Sequence, residues 1–99
     1  MNMEAGDWFD KGYDWIMIGN YQKALECCNQ AIELDPDYAD AYFNKGVVLD
    51  QLGDYRAAIA CFERVIALEP YNTMAYRGKE MALKESRKFF KRWRRKIRR

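Results

Sequence analysis

The sequence predicts an all-α protein of tandem antiparallel helix hairpins, closed by a long C-terminal helix. Three observations carry that expectation: self-similarity at a period of 34 residues, apolar and small residues recurring every three or four positions, and a glycine followed by a capping side chain at the same place in each period. Shifting the chain by one period aligns 5–38 with 39–72. Eleven positions then coincide: Ala5/Ala39, Phe9/Phe43, Lys11/Lys45, Gly12/Gly46, Gly19/Gly53, Tyr21/Tyr55, Ala24/Ala58, Cys27/Cys61, Ile32/Ile66, Leu34/Leu68 and Pro36/Pro70. A fixed period of this size marks stacked units, each of which covers its apolar face with its neighbour.

Each element follows from local signals. Trp8, Gly12 and Trp15, like Tyr42, Gly46 and Leu49, fall on one helical stripe, so a helix is expected near 5–18 and again one period later. Gly19-Asn20 and Gly53-Asp54 supply a left-handed stop and a side-chain start, which makes the turn very short. Second helices follow near 21–34 and 55–68. Their shared face holds Ala24, Cys28 and Ala31 in one unit and Ala58, Phe62 and Val65 in the other, with small residues where helices approach closely. Pro36 and Pro70 end the units because proline cannot continue the backbone ladder. A third unit opens at Thr73, but Arg87 stands where the turn glycine is due and no proline follows. Leu83, Ser86, Phe90, Trp93 and Ile97 keep helical spacing, so one amphipathic helix is expected over about 73–97, its first half capping the stack.

These residues resemble the tetratricopeptide repeat. In the first unit Trp8, Gly12, Trp15, Tyr21, Ala24, Ala31 and Pro36 match that family's pattern, and in the second Tyr42, Gly46, Leu49, Tyr55, Ala58, Phe62 and Pro70 match it. Lys11 and Lys45 replace a usual leucine, Cys28 a usual aromatic and Val65 a usual alanine. The resemblance implies a right-handed solenoid forming a single domain over 1–99, with repeat one at 5–38, repeat two at 39–72 and a capping helix with a basic tail at 73–99. It also implies a protein-binding scaffold or adaptor whose first helices line a concave groove for a protein or peptide partner. Carried over position by position, the groove residues are Phe9, Tyr13, Ile16 and Met17, then Phe43, Val47, Asp50 and Gln51, then Met74, Arg77, Met81 and Lys84. Asn44 alone matches the clamp with which some members grip chaperone C-terminal tails, which argues against that ligand. The wall is mostly apolar, and an amphipathic helix or extended segment with apolar anchors suits it. The competing expectation is that the C-terminal helix, or a second copy of the chain, covers it.

Composition narrows the function classes. With 99 residues, about two-thirds of the unfolded surface can be buried, enough for one domain. No histidine is present, and no phosphate-cradling glycine loop, nucleophile elbow or zinc-type ligand spacing occurs, so no enzymatic activity, metal or cofactor is expected. Cys27, Cys28 and Cys61 are odd in number, fit no disulfide framework, and sit at packing positions, so buried thiols are expected. Glu4, Asp7 and Asp10 lie where a secretory signal would be basic and then apolar, and no run nears the roughly 18 apolar residues of a spanning helix. The expected location is cytoplasmic.

Charge is sharply segregated. Residues 1–72 hold five basic and thirteen acidic side chains, a balance of −8; residues 73–99 hold twelve and two, a balance of +10. The tail cations are Arg87, Lys88, Lys91, Arg92, Arg94, Arg95, Lys96, Arg98 and Arg99, interleaved with Phe89, Phe90, Trp93 and Ile97. Four readings compete: a solvated end, contact with an anionic membrane surface, nonspecific nucleic-acid binding, and attraction to the acidic body of the same molecule or of a second copy in a homo-oligomer.

Overall fold

A computed structural model describes residues 2–97, which form five α-helices: α1 (Ala5–Ile18), α2 (Tyr21–Leu34), α3 (Ala39–Gln51), α4 (Tyr55–Leu68) and α5 (Thr73–Ile97). No strand occurs among the described residues. Arg98 and Arg99 of the basic tail lie outside them.

The helix ends are made by the residues the sequence places there. The Glu4 N–H donates to Asp7 Oδ2 at 2.9 Å, starting α1 with an acidic side chain at its positive end. Gly19 stops α1 with φ 89°, and its N–H reaches the Trp15 and Ile16 carbonyls. Asn20 then accepts from the Lys23 N–H at 3.2 Å and starts α2. One hairpin later Gly53 has φ 84°, and Asp54 Oδ1 accepts from the Ala57 N–H at 3.3 Å. Asn72 Oδ1 caps α5 by accepting from the Ala75 N–H at 3.1 Å. Each cap satisfies donors that the first helical turn leaves unpaired.

Each helix packs chiefly on its sequence neighbours, with lesser contact from α1 to α3 and from α3 to α5. The three odd-numbered helices therefore line one flank of the stack. The core is a thin seam of small and medium side chains, in which Ala24, Ala31, Ala41, Val48, Ala58, Val65, Ala75 and Ala82 are fully buried. Phe62 is the one aromatic buried among the described residues. Its ring fills the gap between α3 and α5 at Gly46 and Gly78: a Cβ on Gly46 would lie 2.8 Å from Phe62 Cε1, and one on Gly78 would lie 2.7 Å from it. Two helices can flank a phenyl ring this closely only where neither carries a side chain.

The three cysteines are buried free thiols. Burial pushes all three above the ordinary thiol range, Cys28 up to about 12. Such thiols behave as small apolar side chains.

The two halves of α5 differ. Ala75 and Ala82 are buried, and Ser86 is the last residue with partial cover; 87–97 are exposed throughout. The second half of the helix thus runs clear of the body and leaves the flank open. It makes the molecule elongated, 58 × 29 × 19 Å.

Candidate functional site

The flank formed by α3 and α5 carries a concave cavity of about 320 Å³. Phe43, Val47, Asp50 and Gln51 of α3 form one wall, Met74, Arg77, Gly78 and Met81 of α5 the other, and Phe62 of α4 the floor. The α3 residues recur at spacings of four and three, as do those of α5, so each helix presents one stripe to the gap. The stripes stay apart because α4 is wedged behind them. Phe43 meets Phe62 edge-on, with centroids 5.7 Å apart and planes at 63°.

The cavity's surface is mainly apolar with two charges of opposite sign, Asp50 and Arg77. Partial burial raises the Asp50 carboxyl above the ordinary carboxylate range, and Glu85 adds to the rise by like-charge repulsion. Asp50 Oδ1 is enclosed without a hydrogen-bond partner, and so is Asn44 Nδ2. Both side chains belong to α3. Met74 and Met81 are more than half exposed, which is unusual for side chains with no polar atom besides a thioether.

Seven of the groove residues read from the sequence thus meet around one cavity. The others do not. Phe9 stacks on Tyr38 at 5.3 Å and is half-buried; Tyr13 and Met17 are exposed on α1, and Ile16 is partly covered. Asn44 and Lys84 lie outside the cavity lining. Phe62 and Gly78 are members that the sequence reading did not assign to the groove wall. The available signal was their pairing as large and absent side chains on adjacent second and first helices.

A second concavity, about 400 Å³, lies at the other end between α1 and α2, lined by Trp8, Lys11, Trp15, Lys23, Glu26, Cys27 and Gln30. The tryptophan stripe of α1 is covered by α2 only in part, since both rings are half-buried. Lysines lie over them instead: Lys23 Nζ is 4.6 Å from the Trp15 ring centre and Lys11 Nζ 5.6 Å from that of Trp8. Along the tail, Arg87, Phe90, Lys91 and Arg94 border a shallow depression of about 240 Å³.

Antiparallel helix hairpins stacked through alanines, turned at left-handed glycines and leaving one flank open define a helical repeat protein. The sequence model of the Tetratricopeptide repeat family matches residues 16–82, and the chain belongs to that family. Among solved structures, the crystal structure of MamA protein resembles it with a TM-score of 0.82 and 31% identity, over 84% of this chain and 45% of that one. The Arabidopsis OM64 TPR domain gives 0.79 and 25%, over 82% and 67%. The second TPR domain of human RPAP3, solved in complex with the HSP70 peptide SGPTIEEVD, gives 0.78 and 30%, over 80% and 66%. The chain therefore spans less than half the length of the MamA structure. Comparison with curated protein sequences gives no match.

Proposed function

We propose that this protein is an interaction module that receives a peptide or partner helix in the cavity between α3 and α5. It is organised as repeats at 5–38 and 39–72 with a closing unit at 73–99. The observation that carries the reading is the open apolar cavity itself, floored by Phe62 and rimmed by Met74 and Met81. Its size falls at the lower end of the roughly 300–1,000 Å³ typical of ligand sites, which suits one large apolar anchor of a longer segment. Flexible methionines at the mouth suit anchors of several shapes.

Electrostatics narrow the ligand. The RPAP3 domain is bound to a peptide with an acidic end. Here the lining offers one cation, Arg77, and sets Asp50 against it. An apolar anchor beside one acid and one base suits the cavity better than an acidic tail. Turning of the Asp50 side chain would give the peptide main chain an acceptor that the protein itself leaves unused.

Peptides selected from a random display library against the full chain test this reading. Bound peptides are expected to shift the methyl resonances of Met74 and Met81, and Met74→Glu or Met81→Glu should weaken them by roughly tenfold or more. Met17→Glu separates a site confined to α3 and α5 from one that extends through Phe9, Tyr13 and Ile16 on α1. Selected peptides that ignore both the Met74 and the Met81 substitution would refute the cavity as the site.

A further inference from the structure

The C-terminal half of α5 has no part in the groove, and its exposed face is chemically distinctive. At about 100° per residue, Phe89, Phe90, Trp93 and Ile97 fall within an arc of about 100°, which is the same arc that holds Ala75 and Ala82 in the buried half of the helix. The face that packs on α4 thus continues beyond Ser86 as a row of large apolar side chains, three of them aromatic and all more than half exposed. Arg87, Lys88, Lys91, Arg92, Arg94, Arg95 and Lys96 fill the rest of the circumference, with Arg94 and Lys96 flanking the apolar arc on either side. No acidic residue follows Glu85. Among the described residues only Lys88 of these cations makes an ion pair, to Glu85 at 3.3 Å.

This segment is electrostatically unfavourable as it stands. Arg87/Lys91, Lys88/Arg92, Lys91/Arg95 and Arg92/Lys96 are all like-charged pairs one helical turn apart, and such pairs oppose helix formation. An anionic surface would relieve that repulsion and cover the apolar row at the same time. We propose that residues 87–97 dock on an anionic lipid surface, with Phe89, Phe90, Trp93 and Ile97 entering the headgroup boundary and the flanking cations reaching lipid phosphates and carboxylates. No described helix is long and apolar enough to cross a membrane, and α4 packs on the same face of α5 as the apolar row, so the tail dips obliquely into the interface from its free end instead of lying flat on it. The stripe from Phe89 to Ile97 is about 12 Å long, which gives reversible, salt-sensitive attachment. Nucleic acid would engage the cations but leave a segregated apolar row without an apolar phase to enter. Pairing tail to tail between two copies would set cations against cations.

The test compares the full chain with two double variants, Phe90→Ala with Trp93→Ala and Arg92→Gln with Arg95→Gln, by cosedimentation with vesicles. The vesicles contain phosphatidylcholine with about one-quarter phosphatidylserine, or phosphatidylcholine alone. Circular dichroism is read alongside to show that helix content is kept. The wild-type chain should bind only the anionic vesicles and release as salt rises, and each double variant should lose affinity by roughly tenfold or more. With Trp8→Phe and Trp15→Phe in place, the remaining Trp93 emission should shift to the blue on binding. Undiminished vesicle binding by the Phe90/Trp93 variant overturns the proposal, because charge alone would then suffice. Absence of vesicle binding also overturns it, whether the tail then shifts duplex DNA or supports a concentration-dependent dimer that the aromatic variant abolishes.

Discussion

Phe62 on α4 and Gly78 on α5 fit each other as knob and hole: a Cβ on Gly78 would lie 2.7 Å from both Cε1 and Cζ of the ring. Gly46 stands on the other side of the same ring, 2.8 Å from it by the same measure. One side chain therefore sets the spacing of α3, α4 and α5, and so the width of the cavity they enclose.

Filling the hole should cost stability. Phe62 is 2% exposed, and its ring is met closely by both Gly46 and Gly78. Gly78→Ala and Gly46→Ala are each expected to destabilise by about 1–3 kcal/mol through overpacking, read as a lower urea midpoint at unchanged slope. Phe62→Ala should cost about 3–5 kcal/mol and widen the cavity.

The same register one period earlier holds Cys28 where Phe62 stands and Asn44 where Gly78 stands. Volume has been exchanged across the interface: small on the second helix, larger on the helix that follows. Cys28→Phe alone should therefore destabilise, and Asn44→Gly should recover much of the loss. A coupling of about 1 kcal/mol or more in the double-mutant cycle is the expected result. Additive effects would show that the two positions do not share a slot.

Thiol reactivity offers a third check. With Cys28 held near 12 against an ordinary 9.0, its thiolate fraction at pH 8 is roughly a thousandfold lower than that of a free cysteine. Cys27 and Cys61 are shifted in the same direction. A disulfide reagent should react slowly with the folded protein and at full rate with all three cysteines once the chain is unfolded in urea. Fast labelling of Cys28 without unfolding would contradict its burial.

The groove carboxylate should make stability fall as pH rises. Asp50 binds its proton more tightly in the folded state than at the ordinary value of 3.8, because burial, and then Glu85, oppose its charge. Between that value and the higher folded one the native state carries the extra proton, so stability drops as pH climbs through the window. Asp50→Asn removes the dependence: it should be more stable than the parent at neutral pH, with the advantage shrinking as the solution is acidified below the ordinary value. Paired urea titrations along a pH series measure this.

Much of the helix layout was legible in the sequence because its determinants are local. Gly19 and Gly53 require left-handed backbone, Asn20 and Asp54 cap by reaching three residues ahead, and the periodicity of the apolar stripes depends on nothing but the helix itself. The change from a turn glycine to Arg87 likewise announced the uninterrupted α5. The groove was only partly legible. Phe43, Val47, Asp50, Gln51, Met74, Arg77 and Met81 come together, whereas Phe9 is taken up by Tyr38 and the remaining α1 residues lie elsewhere.

Sequence alone determined that this chain is a pile of helix hairpins with an acidic body and a basic, apolar-striped end, since spacing and charge are properties of residue order. Tertiary structure decided that Phe62 floors a cavity, that Asp50 is drawn partly out of water, and that no other described helix packs on the stripe beyond Ser86. Each of those outcomes depends on the volume or the reach of a neighbouring helix. A helical stripe shows which side chains point the same way, but only the neighbour across the gap decides whether that direction leads into protein, a cavity or solvent.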